Sequence, residues 1–266
     1  MIFIAEIGWN FMGDMALASK MIADAKNAGA TAAKFQYWNP SKLKSGPWDL
    51  DGRRAIYEKA FLTEEKINIL IKVCEQNDIE FLTSVFNVED AELIRSFGIE
   101  SIKVPSHASH DTELHKFVSH EFTKAFVSLG ACSEEELFAA IQIYQKGRAE
   151  WVGMHCVSSY PCPPDKVNFP RMVELKSRVP VLGYSDHTTD LVTPAIAAAL
   201  GAEVIEKHFT SDKSLPGRDN QFAVVKEEFL LMVENCHHAK NLMINHGMGA
   251  MDCEIDTMKN YRGRWG

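Results

Sequence analysis

The sequence predicts an α/β protein of the (β/α)₈ barrel (TIM barrel) class, folded as a single domain. Eight short apolar runs rich in β-branched residues alternate with eight longer stretches of helical periodicity along 266 residues. One such barrel typically needs about 250 residues, and no Pro-, Ser- or Gly-rich linker divides this chain. We therefore expect one barrel over residues 1–245, with residues 246–266 as a C-terminal tail or the start of a linker.

The predicted elements follow one another as eight strand–helix units. The strands are expected at 3–7, 32–36, 80–84, 101–104, 125–129, 151–157, 181–185 and 203–208. The helices are expected at 14–28, 63–77, 88–97, 111–119, 133–147, 170–178, 190–200 and 226–241. Thr63 and Ser133 precede helical runs as capping residues, with acidic residues in the first turn. Residues 38–60 form a long connection after the second strand, at the end of the barrel where loops often carry function.

A doubly wound open sheet is the rival architecture for this alternation. That fold usually has a G-x-G-x-x-G phosphate turn after its first strand. The corresponding segment here reads GWNFMGD, which lacks this spacing. The closed barrel is therefore the better interpretation.

The composition restricts the partners and the compartment. A net charge of −8 argues against a nucleic-acid partner, and no run of about 18 apolar residues predicts a membrane span. The N-terminal segment MIFIAEIGWN is typical of a strand, since it lacks the basic region of a signal peptide. The six cysteines are scattered without a C-x-x-C spacing, which is typical of reduced thiols. We expect a cytoplasmic protein.

Polar side chains recur where the predicted strands end, although a barrel interior is mostly apolar. Residues i and i+2 of a strand share a face, so Lys34 lies beside Gln36, Ser185 beside His187, and Glu206 beside His208. Further polar residues at strand ends are Glu6, Ser84, Lys103, Ser106, Ser158 and Tyr160. A lone lysine or histidine in such a place is more often structural, but repetition on strand after strand predicts a functional site. The remaining histidines, at 107, 110, 115, 120, 237, 238 and 246, are expected at the surface.

These residue types suggest two kinds of ligand. His187 and His208, together with a carboxylate oxygen as a third ligand, would suit a divalent metal such as Mn²⁺ or Mg²⁺ with open coordination positions. Lys34 and Lys103, together with the hydroxyls of Ser84, Ser106 and Ser185, would suit a small doubly charged anion such as a phosphate ester. Glu6 could ligate the metal, orient a ligand or act as a base.

Several motifs resemble the sialic acid synthase (N-acetylneuraminate synthase) family. In order they are AEIGWNFMGD, AAKFQ, FLTSVF, SIKVPS, HCVSSYPCPPDKVNF, GYSDHT, GAEVIEKHFT and LPGRD, and the resemblance runs from residue 3 to about residue 235. The resemblance implies condensation of phosphoenolpyruvate with an N-acylated amino sugar, typically N-acetylmannosamine, to a nine-carbon α-keto acid and phosphate. The metal would polarise the sugar aldehyde, and the chain could assemble as a homodimer.

The same resemblance implies a role for each matching residue. It implies that His187 and His208 bind the metal, and that Lys34, Lys103 and three serines hold phosphoenolpyruvate; these serines are Ser84, Ser106 and Ser185. It further implies that Gln36, Tyr160 and Asp219 lie near the sugar, where Ser158 occupies a variable position. Finally, it implies that Glu6 and Glu206 are acidic residues of the catalytic centre.

The sequence departs from the family pattern in three places. Phe11 follows Asn10 where the family has histidine, and Ala108 replaces an acidic residue. The family's C-terminal antifreeze-like domain, which grips the sugar, has no counterpart here, so we expect a catalytic barrel without it. Two alternatives to the synthase therefore stay open: a related barrel synthase or aldolase with another aldehyde sugar, and a non-catalytic barrel that serves as a binding subunit.

Overall fold

A computed structural model describes residues 1–265 as a closed barrel of eight parallel strands in the order β1 to β8. The strands are β1 (Ile2–Gly8), β2 (Ala32–Gln36), β3 (Glu80–Ser84), β4 (Ser101–Val104), β5 (Lys124–Ser128), β6 (Glu150–Cys156), β7 (Val181–Asp186) and β8 (Val204–His208). The predicted fold class is confirmed, and every predicted strand is present within one residue at each end.

The helices surround the barrel in the predicted order. They are α1 (Met15–Asn27), α2 (Arg53–Ala60), α3 (Glu64–Gln76), α4 (Val88–Ser96), α5 (Thr112–Glu121), α6 (Glu134–Lys146), α7 (Phe169–Lys176), α8 (Val192–Ala199), α9 (Lys226–Leu242) and α10 (Ile255–Asn260). The predicted caps are confirmed, because Thr63 accepts a bond from Lys66 N and Ser133 forms a capping box with Glu136. Helix α2 lies within the long connection after β2, where no helix was predicted.

The barrel interior changes from apolar to charged along its axis. Its lower part is a small apolar cluster that includes Ile4, Leu82, Phe126, Met154 and Val204. Two residues further along each strand the same face carries polar groups, because side chains alternate with a period of two. A larger apolar cluster lies between the strands and the surrounding helices. The charged groups therefore lie at the C-terminal ends of the strands, where barrel enzymes carry their active sites.

The expectation that His115 lies at the surface is wrong. His115 is on α5 and fully buried, with Nε2 3.0 Å from the Ser109 carbonyl oxygen and its ring edge-on to Tyr144. The Ser109 carbonyl and the Tyr144 hydroxyl therefore provide hydrogen-bond partners for both ring nitrogens of this buried imidazole.

Residues 1–265 contain no helix with the length and apolar character needed to cross a membrane.

Candidate active site in the barrel mouth

A cavity of about 510 Å³ opens at the C-terminal ends of the strands. This volume falls within the range of about 300–1,000 Å³ that small-molecule sites occupy. All but one of the residues predicted for the site line it, namely Glu6, Lys34, Gln36, Ser84, Lys103, Ser106, Tyr160, Ser185, His187, Glu206, His208 and Asp219. The exception is Ser158, whose Oγ lies 3.9 Å from the Sγ of Cys156 just below the cavity wall.

The floor of the cavity carries four buried charged groups, Glu6, Lys34, Lys103 and Glu206, which we call the charge quartet. Lys103 Nζ lies 2.6 Å from Glu206 Oε2, and Lys34 Nζ lies 2.5 Å from Glu6 Oε2. Lys34 Nζ is also 3.7 Å from Glu206 Oε1, which joins the two pairs. The strand register pairs Glu6 with Lys34, and burial without counter-ions would be costly. The quartet is therefore neutral overall.

The quartet shifts the pKa of each of its members. Burial opposes ionisation of Glu206, but the two lysines outweigh it and lower its pKa to about 2. Burial and the charge on Glu206 both raise the pKa of Glu6. Burial lowers the pKa of Lys103, whereas the two carboxylates overcome burial and raise the pKa of Lys34. Of the two carboxylates, Glu6 is thus the one whose pKa is raised toward neutral pH, as suits a general base.

Gly8 allows Glu6 and Gln36 to approach each other. Its φ of +50° lies in the left-handed region, and an added Cβ would be 2.9 Å from Glu6 Oε1. Gln36 Nε2 donates to that same oxygen at 2.6 Å, and Gln36 Oε1 accepts from Trp9 Nε1 at 2.8 Å. A side chain at Gly8 would therefore disturb the carboxylate of Glu6.

Hydroxyl groups line the same cavity as the two lysines. Ser185 Oγ donates to Glu206 Oε1 at 2.9 Å, and Ser106 Oγ accepts from Gly130 N at 3.2 Å. Ser84 is paired in register with Lys103. Ser128, the last residue of β5, was not predicted for the site but also lines the cavity, and its buried Oγ has no hydrogen-bond partner within residues 1–265. These donors and the lysines form a suitable environment for an anion.

The two predicted metal ligands lie side by side above the quartet. The ring centroids of His187 and His208 are 5.5 Å apart, and Tyr160 packs 4.2 Å from the His187 ring. His187 Nδ1 lies 2.9 Å from the Val157 carbonyl oxygen, which accepts its proton. Burial, His187 and Lys34 hold the pKa of His208 well below its usual range, so its imidazole is neutral.

These histidines fit a divalent metal in part. His208 Nδ1 is buried without a hydrogen-bond partner among the described residues, and a neutral imidazole is the form that binds metals. The nearest carboxylate oxygen of Asp219 lies 3.7 Å from this atom. Residues 1–265 hold no cluster of three or more His, Cys, Asp or Glu side chains arranged for a metal. The expected third ligand, a carboxylate, is not in place among the described residues, so the two imidazoles are the ligands that the site provides.

A second buried ion pair supports the histidines from outside the barrel wall. Lys207 forms an ion pair with Asp186, and the two side chains are 1% and 0% exposed. Lys207 Nζ also donates to the Thr188 carbonyl at 2.8 Å, and Thr188 N donates to Asp186 at 2.8 Å. The pair thus fixes the backbone on both sides of His187. The sequence shows both residues at strand ends, but their outward direction follows from the register.

Aromatic side chains, most of them not predicted from the sequence, also line the cavity. They are Trp9, Trp38, Trp48, Tyr57, Phe86 and His107, together with the predicted Tyr160. Trp9 and Trp38 lie in the loops after β1 and β2, which is the signal that could have identified them. His107 lies directly after Ser106; it is exposed, as expected, and it lines the cavity.

Comparison with known proteins identifies the family of the chain. Residues 21–247 match the model of the NeuB family. A pseudaminic acid synthase of Campylobacter jejuni is 32% identical, over 97% of this chain and 78% of that protein. An N,N'-diacetyllegionaminic acid synthase of Legionella pneumophila is 31% identical, over 90% of this chain and 72% of that protein. The crystal structure of an N-acetylneuraminic acid synthetase from Leptospira borgpetersenii, in complex with citrate, superposes with a TM-score of 0.88 at 28% identity, over 97% of this chain and 90% of that one.

Proposed function

The chain belongs to the NeuB family of synthases, and we propose that it condenses phosphoenolpyruvate with the aldehyde form of an N-acylated amino sugar, releasing phosphate and a nonulosonic acid. One observation carries the proposal: two buried lysines, three serine hydroxyls and two buried histidines line a single cavity. Lysines and hydroxyls recognise a phosphate ester, and paired imidazoles recognise a divalent metal. The enzymatic relatives disfavour a non-catalytic binding subunit.

In this proposal, residues on the floor of the cavity bind phosphoenolpyruvate, and residues nearer its mouth bind the sugar and the metal. Lys34 and Lys103 hold the anionic groups of phosphoenolpyruvate, with Ser84, Ser106 and Ser185 as further donors. Gln36, Tyr160 and Asp219 position the sugar, with Ser158 just below the wall. A divalent cation, Mn²⁺ or Mg²⁺, held by His187 and His208, would polarise the aldehyde oxygen.

The bond changes follow from this placement. C3 of phosphoenolpyruvate attacks the aldehyde carbon of the sugar, and water adds to C2. Glu6, whose pKa is raised, takes the proton of that water. The aldehyde oxygen takes up that proton as it becomes a hydroxyl. The bond between C2 and the phosphate oxygen then breaks, C2 becomes the keto carbon, and phosphate leaves with the second proton of the water. Glu206, held ionised between the lysines, keeps them charged and in position.

The test is metal-dependent phosphate release. The protein is incubated with phosphoenolpyruvate, Mn²⁺ and a panel of N-acylated amino sugars that includes N-acetylmannosamine, with and without EDTA. We expect phosphate release that needs both substrates and stops with EDTA. The product should have a mass equal to that of the sugar plus that of pyruvic acid. His208→Ala should lose activity and bound Mn²⁺ while it stays folded, whereas the exposed His246→Ala should keep both. No metal-dependent release with any amino sugar would overturn the proposal.

A further inference from the structure

Trp9 follows β1 directly, and its indole N–H reaches the side chain at the end of β2. The residue is 8% exposed, and the indole Nε1 donates to Gln36 Oε1 at 2.8 Å. The indole ring packs against Trp38 and Tyr57, whose ring centroids each lie 4.8 Å from its own. These aromatic contacts hold the ring in place, so its N–H is a fixed donor inside the cavity.

The indole determines which way the Gln36 amide faces. An indole nitrogen can only donate, so the amide must turn its oxygen toward Trp9 and its NH₂ group away from it. The NH₂ group then donates to Glu6 Oε1 at 2.6 Å. The opposite amide orientation would place two acceptors, Gln36 Oε1 and Glu6 Oε1, against each other. Trp9 thus ensures that Glu6 receives a donor from Gln36.

The Glu6 carboxylate is held at both of its oxygens. Gln36 Nε2 donates to Oε1, and Lys34 Nζ lies 2.5 Å from Oε2. Because each oxygen has a different partner, the plane of the carboxylate is fixed. Glu6 is 1% exposed, and the loss of a partner at such a buried group is costly. The orientation of this carboxylate therefore depends on the donor from Gln36.

On the basis of the proposed function, we propose that Trp9 is a positioning residue for the condensation: through the Gln36 amide, its indole N–H holds Glu6 in the orientation in which this carboxylate acts as the base. A general base must lie within hydrogen-bond reach of the proton that it takes. A displacement of about 1 Å in such a group can cost about a hundredfold in rate. Loss of the indole N–H should therefore lower kcat by about ten- to a hundredfold.

The first experiment removes the indole N–H and measures steady-state phosphate release with Mn²⁺, phosphoenolpyruvate and the amino sugar that the parent protein uses best. Trp9→Phe keeps an aromatic ring and should lower kcat by about ten- to a hundredfold. KM for phosphoenolpyruvate should change by less than about threefold, because both lysines stay in place. Trp151→Phe is the matched control: the same change at a side chain 6% exposed, stacked on Tyr144 of α6, should leave kcat unchanged. Circular dichroism verifies that each variant is folded.

The second experiment tests whether Trp9 acts through Gln36. In Gln36→Glu the introduced carboxylate can accept from Trp9 but offers no donor to Glu6, so kcat should fall at least as far as in Trp9→Phe. A carboxylate is symmetric and has no orientation for the indole to fix. Adding Trp9→Phe to Gln36→Glu should therefore lower kcat by less than about threefold further.

Each contrary result has a defined meaning. Unchanged kcat in either single variant would overturn the inference, and Gln36→Glu alone decides if Trp9→Phe does not fold. An equal loss from Trp9→Phe in the parent protein and in Gln36→Glu would also overturn it, because Trp9 would then act independently of Gln36. In these cases the parent protein still releases phosphate, and the synthase activity stands. No phosphate release by the parent protein would overturn the proposed function itself, and the inference with it.

Discussion

Replacing Lys103 by Met tests how the charge quartet is balanced. The substitution keeps most of the side-chain volume but removes the cation that lies 2.6 Å from Glu206, in a pair with side chains 1% and 7% exposed. At an effective dielectric constant of about 20, the lost attraction is about 6 kcal/mol. Part of this loss is returned, because Lys103 no longer has to be desolvated and Lys34 remains 3.7 Å from Glu206. We expect a net loss of about 3 kcal/mol in unfolding free energy, near the lower end of values for broken buried pairs.

Thermal unfolding followed by circular dichroism provides the assay. A loss of about 3 kcal/mol lowers the Tm of a chain of this size by about 6–12 °C. The double variant Lys103→Met/Glu206→Gln leaves Lys34 and Glu6 as a neutral pair, and the amide oxygen introduced by Glu206→Gln can still accept from Ser185, so this variant should be more stable than either single variant. Lys116→Met, which breaks the exposed pair with Glu113, should change stability by less than about 0.5 kcal/mol. If the double variant loses the sum of the single losses, the four groups do not act as one balanced unit.

The other predictions concern neighbouring parts of the site. Lys207→Met leaves Asp186 buried and unpaired, so it should lose about 3–5 kcal/mol in thermal unfolding and bind Mn²⁺ more weakly by calorimetry. Gly8→Ala should lower kcat with little change in fold, as judged by circular dichroism, because its Cβ meets the Glu6 carboxylate. Burial opposes ionisation of Asp190, but bonds from the start of α8 lower its pKa; its stabilisation is therefore present above the unfolded pKa and lost as pH falls through the folded pKa. Asp190→Ala should cost about 1 kcal/mol near neutral pH. In unfolding curves the difference from the parent protein should begin to shrink below about pH 4, near the unfolded pKa, and vanish once the pH is below the folded pKa. Titration calorimetry should show Mn²⁺ and phosphoenolpyruvate each tightening the binding of the other by the same factor.

The strands could be predicted from the sequence because each is buried on both faces. Such strands appear as short continuous apolar runs, and the helices between them have an apolar stripe of period 3.6. Helix α2 lacks that signal, since Ala60 is its one buried residue and Gly52 precedes it without a side-chain cap. Its position depends on contacts across the mouth, which local sequence does not encode.

The same distinction separates the site residues that could be predicted from the sequence from those that could not. Inward-pointing charges on strands are conspicuous in sequence, because burial demands a reason for them, and Glu6, Lys34, Lys103 and Glu206 were all identified in this way. The aromatic side chains that line the cavity were mostly not identified, because Trp9, Trp38 and Tyr57 come from separate segments that meet only in the folded chain. An aromatic residue in a loop looks the same whether it covers the core or lines a cavity. His115 shows the converse, since a histidine on a helix can be buried by partners distant in sequence.

The charge balance of the site gives a physical reason why a metal and an anion would bind in the same cavity. The quartet contributes two positive and two negative charges, so the floor is neutral before any substrate arrives. Phosphoenolpyruvate carries a carboxylate and a phosphate monoester, together about −3 near neutral pH. Two lysines already balanced by carboxylates do not offset that charge in a buried cavity. A divalent cation at His187 and His208 would restore most of the balance from directly above, and it would do so without disturbing the ionised Glu206. The anion and the cation would then each make the other's burial less costly, which is a physical reason for the lysines and the histidines to face one cavity.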